Sequence, residues 1–158
     1  MNKLNWKPFA VGILITEAVG ALSGWLTREG MEVFNQTALQ PPLSPPSFLF
    51  PIVWSILYAL LGIGATRIYL SPPSKDRSLS LNLYAVQLII NFFWSLIFFN
   101  AQAYGFALLW LLLLWALVLW MVLTFRKVDP LSAWLQIPYV LWLTFAIYLN
   151  YGVWTLNQ

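Results

Sequence analysis

Apolar residues run through this chain in five long stretches separated by short polar or proline-rich segments. A membrane-spanning helix needs about 20 mainly apolar residues. Stretches of that length predict spans near Asn5–Thr27, Ser47–Tyr69, Leu81–Gln102, Tyr104–Phe125 and Leu131–Thr155. The connections differ in kind. Residues 28–46 read as a long loop that holds Glu29, Glu32 and the run Gln40-Pro-Pro-Leu-Ser-Pro-Pro46. Residues 70–80 read as a polar turn, Ala103 marks a very tight connection, and Arg126-Lys-Val-Asp-Pro130 forms the fourth. No internal repeat is visible, and an odd number of spans argues against a duplicated transporter. The expected fold is all-α: one domain over residues 1–158, a bundle of five transmembrane helices.

Composition agrees with the pattern. The chain is 61% hydrophobic and 8% charged, against about 25% charged residues in a soluble domain. It has no cysteine and no histidine, so no disulfide, no thiolate metal site and no imidazole base is expected. No cofactor is required by any motif. The net charge of +3 is scattered over separate loops and is not a nucleic-acid signal. The first apolar run is followed by Glu29 and Glu32 rather than a small-residue cleavage site, so it is expected to stay as a span.

Charge also predicts direction. Lys3, Lys7, Arg67, Lys75, Arg77, Arg126 and Lys127 fall on one side of a five-span topology, and Arg28 on the other. By the positive-inside rule the N-terminus is cytoplasmic, with the long loop and the C-terminus outside. The expected location is a bacterial cell membrane.

The ten tryptophans separate into groups. Trp6 and Trp25 bracket the first span about 28 Å apart, and Trp134 and Trp154 bracket the fifth about 30 Å apart. Both distances match the hydrocarbon thickness, so these four read as boundary anchors. Trp110, Trp115 and Trp120, on a leucine-rich span, read as packing or lipid contact. Trp54, Trp94 and Trp142 lie well inside spans, and a buried indole needs a hydrogen-bond partner or a flat ligand.

The neighbours of those three favour a cavity. In the third span Tyr84, Gln87, Asn91, Ser95 and Gln102 recur at helical spacing, joined by Trp94 and Phe98. Polar side chains at membrane depth face the bundle interior. Interhelical hydrogen bonding, at about 0.6–2 kcal/mol each, would explain the polar members but not the rings. The second span presents Trp54, Tyr58, Gly62 and Ala65 on one face. The fifth presents Pro138, Trp142, Phe145, Ala146 and Leu149, with Pro138 expected to kink it. Gly12, Thr16, Gly20 and Gly24 form a four-residue stripe on the first span, suited to close helix contact within the bundle. Glu17 is the one mid-span carboxylate, with no partner evident in the sequence.

Three separated motifs carry a resemblance to a known family. They are Phe50-Pro-Ile-Val-Trp54-Ser-Ile-Leu-Tyr58 after the prolines, Asn91-Phe-Phe-Trp94-Ser95 with Phe98-Phe99, and Ala133-Trp134-Leu-Gln-Ile-Pro138-Tyr139-Val-Leu-Trp142 with Phe145-Ala146 and Leu149-Asn150-Tyr151. Over roughly residues 40–157 the chain resembles the tryptophan-rich sensory protein / translocator protein (TspO/MBR, peripheral-type benzodiazepine receptor) family. The resemblance implies a five-helix bundle, commonly a homodimer. It also implies an internal pocket for porphyrins such as protoporphyrin IX and haem, for cholesterol and for benzodiazepine-site ligands. Some bacterial members promote light-dependent breakdown of protoporphyrin, and the two tryptophans tied to that chemistry fall on Trp54 and Trp142. The pocket aromatic of the third helix falls on Phe98 and the small residue of the fifth on Ala146.

Departures accompany the likeness. Phe34, Leu43 and Phe48 stand where the family's long loop carries tryptophans. The sequence after Tyr151, Gly-Val-Trp-Thr-Leu-Asn-Gln, lacks the basic residue of the animal cholesterol motif, so tight cholesterol binding is not expected. Glu17 maps to no family motif. The expected activity is that of a membrane receptor for tetrapyrroles or related flat lipophilic ligands, contacted by Trp54, Tyr58, Asn91, Trp94, Ser95, Phe98, Trp142, Phe145 and Ala146. Membrane lipids and a second copy of the chain are the other expected partners. Conventional catalysis is not expected; photo-oxidative porphyrin degradation at Trp54 and Trp142, or transport of a lipophile, are the alternatives.

Overall fold

The computed structural model describes residues 5–158, so the expectation placed on Lys3 lies outside the described residues. The elements are α1 (Lys7–Leu26), α2 (Arg28–Thr37), α3 (Leu49–Tyr69), α4 (Lys75–Ser95), a π-helical turn (Leu96–Asn100), α5 (Tyr104–Val128), α6 (Pro130–Trp134) and α7 (Ile137–Leu156). Among the described residues, five helical stretches are long and apolar enough to cross a membrane: α1, α3, α4 with the π turn, α5, and α6 with α7. The chain is an integral membrane protein.

Three boundaries differ from expectation, each for a local reason. The third span starts at Lys75 rather than Leu81, because Ser74 caps it: its Oγ accepts from the Arg77 N–H at 3.0 Å, and Asp76 sits in the positive first turn. The long loop opens with α2, an amphipathic helix with no apolar run to announce it. The fifth span is broken rather than kinked at Pro138. The chain turns at Leu135–Gln136, and Pro138 sits in the first turn of α7, where its missing N–H costs nothing. The tight connection at Ala103 is made by Gln102, which takes a φ of 53°.

Packing is densest toward the end of the bundle that holds Lys75 and Lys127. Leu111, Leu114, Val118, Met121 and Phe125 recur at spacings of three and four along α5 and form its buried stripe. They join Leu61 and Ile68 of α3, Leu83 and Leu88 of α4, and Tyr139 and Leu143 of α7 in one cluster. Lipid gives no hydrophobic push between helices, so close backbone approach matters. At the α1–α3 crossing a methyl on Gly62 would come within 2.9 Å of the backbone of Gly12 and Ile13. At the same end Arg67 makes a bidentate pair with Asp129, at 2.6 and 3.3 Å, and Ser132 donates to the same carboxylate at 2.6 Å. The guanidinium holds the Asp129 carboxyl below the usual carboxylate range.

Candidate functional site

The opposite half of the bundle is open. A cavity of about 370 Å³ lies among α1, α3, α4 and α7. Its residues come from the second half of α1, the first half of α3, the end of α4 with the π-helical turn, and the body of α7: Glu17 to Thr27, Phe50 to Tyr58, Asn91 to Phe99, and Trp142 to Val153. The volume is in the range of small-molecule sites, and the lining is mainly apolar with a few convergent polar groups, as such sites are.

Helical geometry selects the lining. On α7, Trp142, Ala146, Leu149, Asn150 and Val153 all reach the cavity. At roughly 100° per residue they share one face, and Phe145 lies just beyond its edge, on the side of Trp142 away from Ala146 and Asn150. Phe145 is accordingly the one expected site residue that the cavity leaves out. It packs outside, 5.7 Å from the Trp142 ring and 6.1 Å from Tyr148, and lines a shallow outward groove with Val53, Ile56 and Pro138. Trp54, Tyr58, Asn91, Trp94, Ser95, Phe98, Trp142 and Ala146 are brought together.

The rings are arranged in two groups. Trp54 and Trp142 meet edge to face, 6.4 Å apart at 90°, with Phe50 against Trp142 at 5.8 Å. Across the cavity Trp94 and Phe98 are stacked at 4.9 Å. The Trp94 indole donates to Asn150 Oδ1 at 3.1 Å, and Asn150 Nδ2 donates to the Tyr104 carbonyl at 2.9 Å. Among the described residues no hydrogen bond is made by the indole N–H of Trp54 or Trp142. The remaining interior indoles tie α5 to its neighbours: Trp110 donates to the Ile90 carbonyl at 2.7 Å and Trp115 to Thr144 at 3.1 Å. Trp6, Trp25, Trp134 and Trp154 are exposed at the helix ends.

The polar stripe of the third span divides at Asn91. On the packed side it is interhelical glue: Tyr84 shares a 2.6 Å bond with Thr16 of α1, while Gln87 spends its amide N–H within α4, on the Tyr84 carbonyl at 3.0 Å, and turns its oxygen to α7. Tyr58 donates to Asn91 Oδ1 at 3.0 Å, Asn91 Nδ2 donates to Tyr139 Oη at 2.7 Å, and Tyr139 donates to Gln87 Oε1 at 2.7 Å. This chain closes the cavity floor and joins three helices. On the open side Asn91, Trp94, Ser95 and Phe98 line the cavity, whereas Gln102 is spent on the turn. Tyr139 and Asn150 carry both arrangements and were not expected to. Their signal was available: each is a polar side chain at membrane depth, and such groups face inward.

The glycine stripe of α1 divides too. Gly12 meets α3, and Gly20 meets the Tyr58 ring. Before Gly24, however, there is open space within 4 Å of where a Cβ would stand. Gly24 keeps volume in the cavity rather than making a helix contact.

The long loop covers this end. Met31, Phe34 and Asn35 of α2 line the cavity, followed by Gln40, Ser44 and Ser47. Phe34 packs on Phe98 at 5.3 Å and on Phe99 at 5.4 Å. Leu43 and Phe48, at 82% and 65% exposure, face away. So of the three positions that lack a tryptophan, Phe34 alone closes over the cavity. The loop is fastened to α7 by reciprocal bonds between Asn157 and the Leu39 backbone, at 2.9 and 2.7 Å. Tyr148 donates to the Pro42 carbonyl at 2.8 Å, and buried Pro41 packs on Gly152.

The model of the TspO/MBR family matches residues 12–155. The translocator protein of Ovis aries is 35% identical over 97% of this chain and 92% of its own length. The protein CrtK of Rhodobacter capsulatus is 40% identical over 94% of this chain and 92% of its own. The tryptophan-rich protein TspO of Chlorobaculum tepidum is 32% identical over 99% of both.

Proposed function

The chain belongs to the TspO/MBR family, and from that premise we propose that it is a membrane receptor that binds a flat tetrapyrrole or a similar lipophile in the loop-covered cavity. One observation carries the reading: two indoles, Trp54 and Trp142, form one wall of a ring-lined cavity of about 370 Å³ with their N–H groups bonded to nothing else among the described residues. Aromatic walls suit a flat π-system, and the indole N–H groups are free to donate to it. Trp54, Tyr58, Asn91, Trp94, Ser95, Phe98, Trp142 and Ala146 are the contact residues, and Phe145 backs Trp142 from outside.

The chain has no histidine or cysteine, which leaves Tyr and Met as side chains for axial ligation of haem iron. Metal-free porphyrin is expected to bind at least as well as haem, and a bis-imidazole-like haem spectrum would contradict this. The direct test is quenching of tryptophan fluorescence by protoporphyrin IX. The Trp142→Phe variant should bind roughly tenfold more weakly than wild type. No quenching in wild type would remove the proposal.

The edge-to-face pair of Trp54 and Trp142 favours a second reading, light-driven breakdown of bound protoporphyrin with dioxygen as oxidant. Unchanged products and rates in Trp54→Phe and Trp142→Phe under illumination would dismiss it. We also propose a cytoplasmic N-terminus in a bacterial cell membrane. The basic end of the bundle holds Lys7, Arg67, Lys75, Arg77, Arg126 and Lys127, and a fluorescent reporter at Gln158 that glows only in the cytoplasm would reverse it.

A further inference from the structure

Glu17 is the one acidic side chain on the cavity wall, and no lysine or arginine lines that wall among the described residues. It stands on α1 at three, four and seven residues from Gly20, Ala21 and Gly24, all of which also line the cavity. These neighbours are small, and the space before Gly24 is empty, so nothing on α1 screens the carboxyl from an occupant. Its Oε1 is buried and has no hydrogen-bond partner among the described residues. Two donors on the facing walls are committed elsewhere, the Tyr58 hydroxyl to Asn91 and the Trp94 indole to Asn150, and the indole N–H groups of Trp54 and Trp142 make no bond to Glu17.

An acceptor held away from water without a donor is a standing penalty, and one oxygen of the half-buried Glu17 is so held. An occupant that brings a donor removes it, and one that brings a second carboxylate enlarges it. We infer that Glu17 is the specificity-determining residue of the cavity, selecting flat ligands that present an amine or ring N–H to the α1 wall and turning carboxylates away from it. The inference rests on the proposed reading of the cavity as a site for flat lipophiles. On that reading an acidic porphyrin would keep its carboxylates at the loop end, where Asn35, Gln40, Ser44 and Ser47 offer polar partners.

Three pyrene probes of one ring system separate the possibilities: 1-aminomethylpyrene, 1-pyrenemethanol and 1-pyreneacetic acid, titrated against the protein in a neutral detergent at pH 7. Wild type should bind the amine roughly tenfold or more above the acid. Glu17→Gln, which keeps size, shape and one acceptor oxygen but no charge, should reduce that preference to about twofold and leave 1-pyrenemethanol, whose hydroxyl still finds that acceptor, within about twofold of wild type. A full amine-over-acid preference in Glu17→Gln, with 1-pyrenemethanol still bound, overturns the role of Glu17 alone. If 1-pyrenemethanol fails to bind wild type, or binds equally well to Gly24→Leu, the cavity reading falls and this inference falls with it.

Discussion

The two halves of the bundle are made from the same helices and use the same kinds of residue for opposite ends. In the basic half, glycine brings backbones together: Gly12 and Gly62 touch across α1 and α3. In the loop half, Gly24 on the same stripe holds space open. Asparagine and tyrosine do likewise. Tyr139 is fully buried and joins Asn91 to Gln87, whereas Asn150 orients a cavity ring. A residue type on a membrane helix therefore says little about its task until the facing helix is known. The packed half fixes the relative positions of α1, α3, α4 and α7, and the open half inherits a preformed cavity from them.

The contrast can be broken most forcefully at its glycines. Gly62→Val should cost about 2–3 kcal/mol in thermal unfolding, because backbone atoms cannot move aside, while Gly24→Val should change stability by less than about 0.5 kcal/mol. Equal effects at the two sites would erase the distinction between halves. Next, Tyr139→Phe strips one hydroxyl from two partners and should cost about 1–2 kcal/mol. The loss should appear as stability, with the affinity for protoporphyrin IX moving much less. Asn157→Ala removes one of the loop's fastenings to α7, leaving those of Tyr148 and Pro41, and should leave the melting midpoint nearly unchanged. Ligand dissociation, followed by stopped-flow fluorescence, should speed up about threefold to tenfold.

The smallest effect concerns pH. Asp129 has its carboxyl lowered first by the Arg67 hydrogen bond and then by Ser132. A lowered carboxyl contributes stability that is complete above the unfolded pKa of about 3.9 and is lost as pH falls through the folded value. The pair is partly exposed, so the contribution is about 0–1 kcal/mol. Wild type should weaken slightly below about pH 4, and Asp129→Asn should show a flatter profile in the same range.

Much of the architecture was legible because lipid enforces it. Apolar runs of the required length gave the five spans, and helical spacing on the third and fifth spans gave most of the cavity wall. What stayed hidden depends on contacts between distant segments. Helix α2 has no apolar run, and only Met31, Phe34 and Asn35 at helical spacing hint at it. The fastening of Leu39 by Asn157 joins residues 118 apart in sequence. Pro138 predicts a kink at its own position, whereas the helix breaks just before it, at Leu135–Gln136. Phe145, three residues from Trp142, reads as sharing its face, but it lies on the side of Trp142 away from Ala146 and Asn150 and packs outside. Glu17 read as isolated, and the structure gives the reason: its surroundings are a cavity and not a protein partner.

The loop half is an open, ligand-sized space rather than loosely drawn packing. Gly24→Leu tests it most directly, because the new side chain has no protein atom to displace at its root. Protoporphyrin IX titrated into wild type and Gly24→Leu, with melting curves on both, is the measurement. Unchanged or higher stability of Gly24→Leu is expected, together with binding weakened by at least about tenfold. Unchanged binding by a folded Gly24→Leu protein would contradict it.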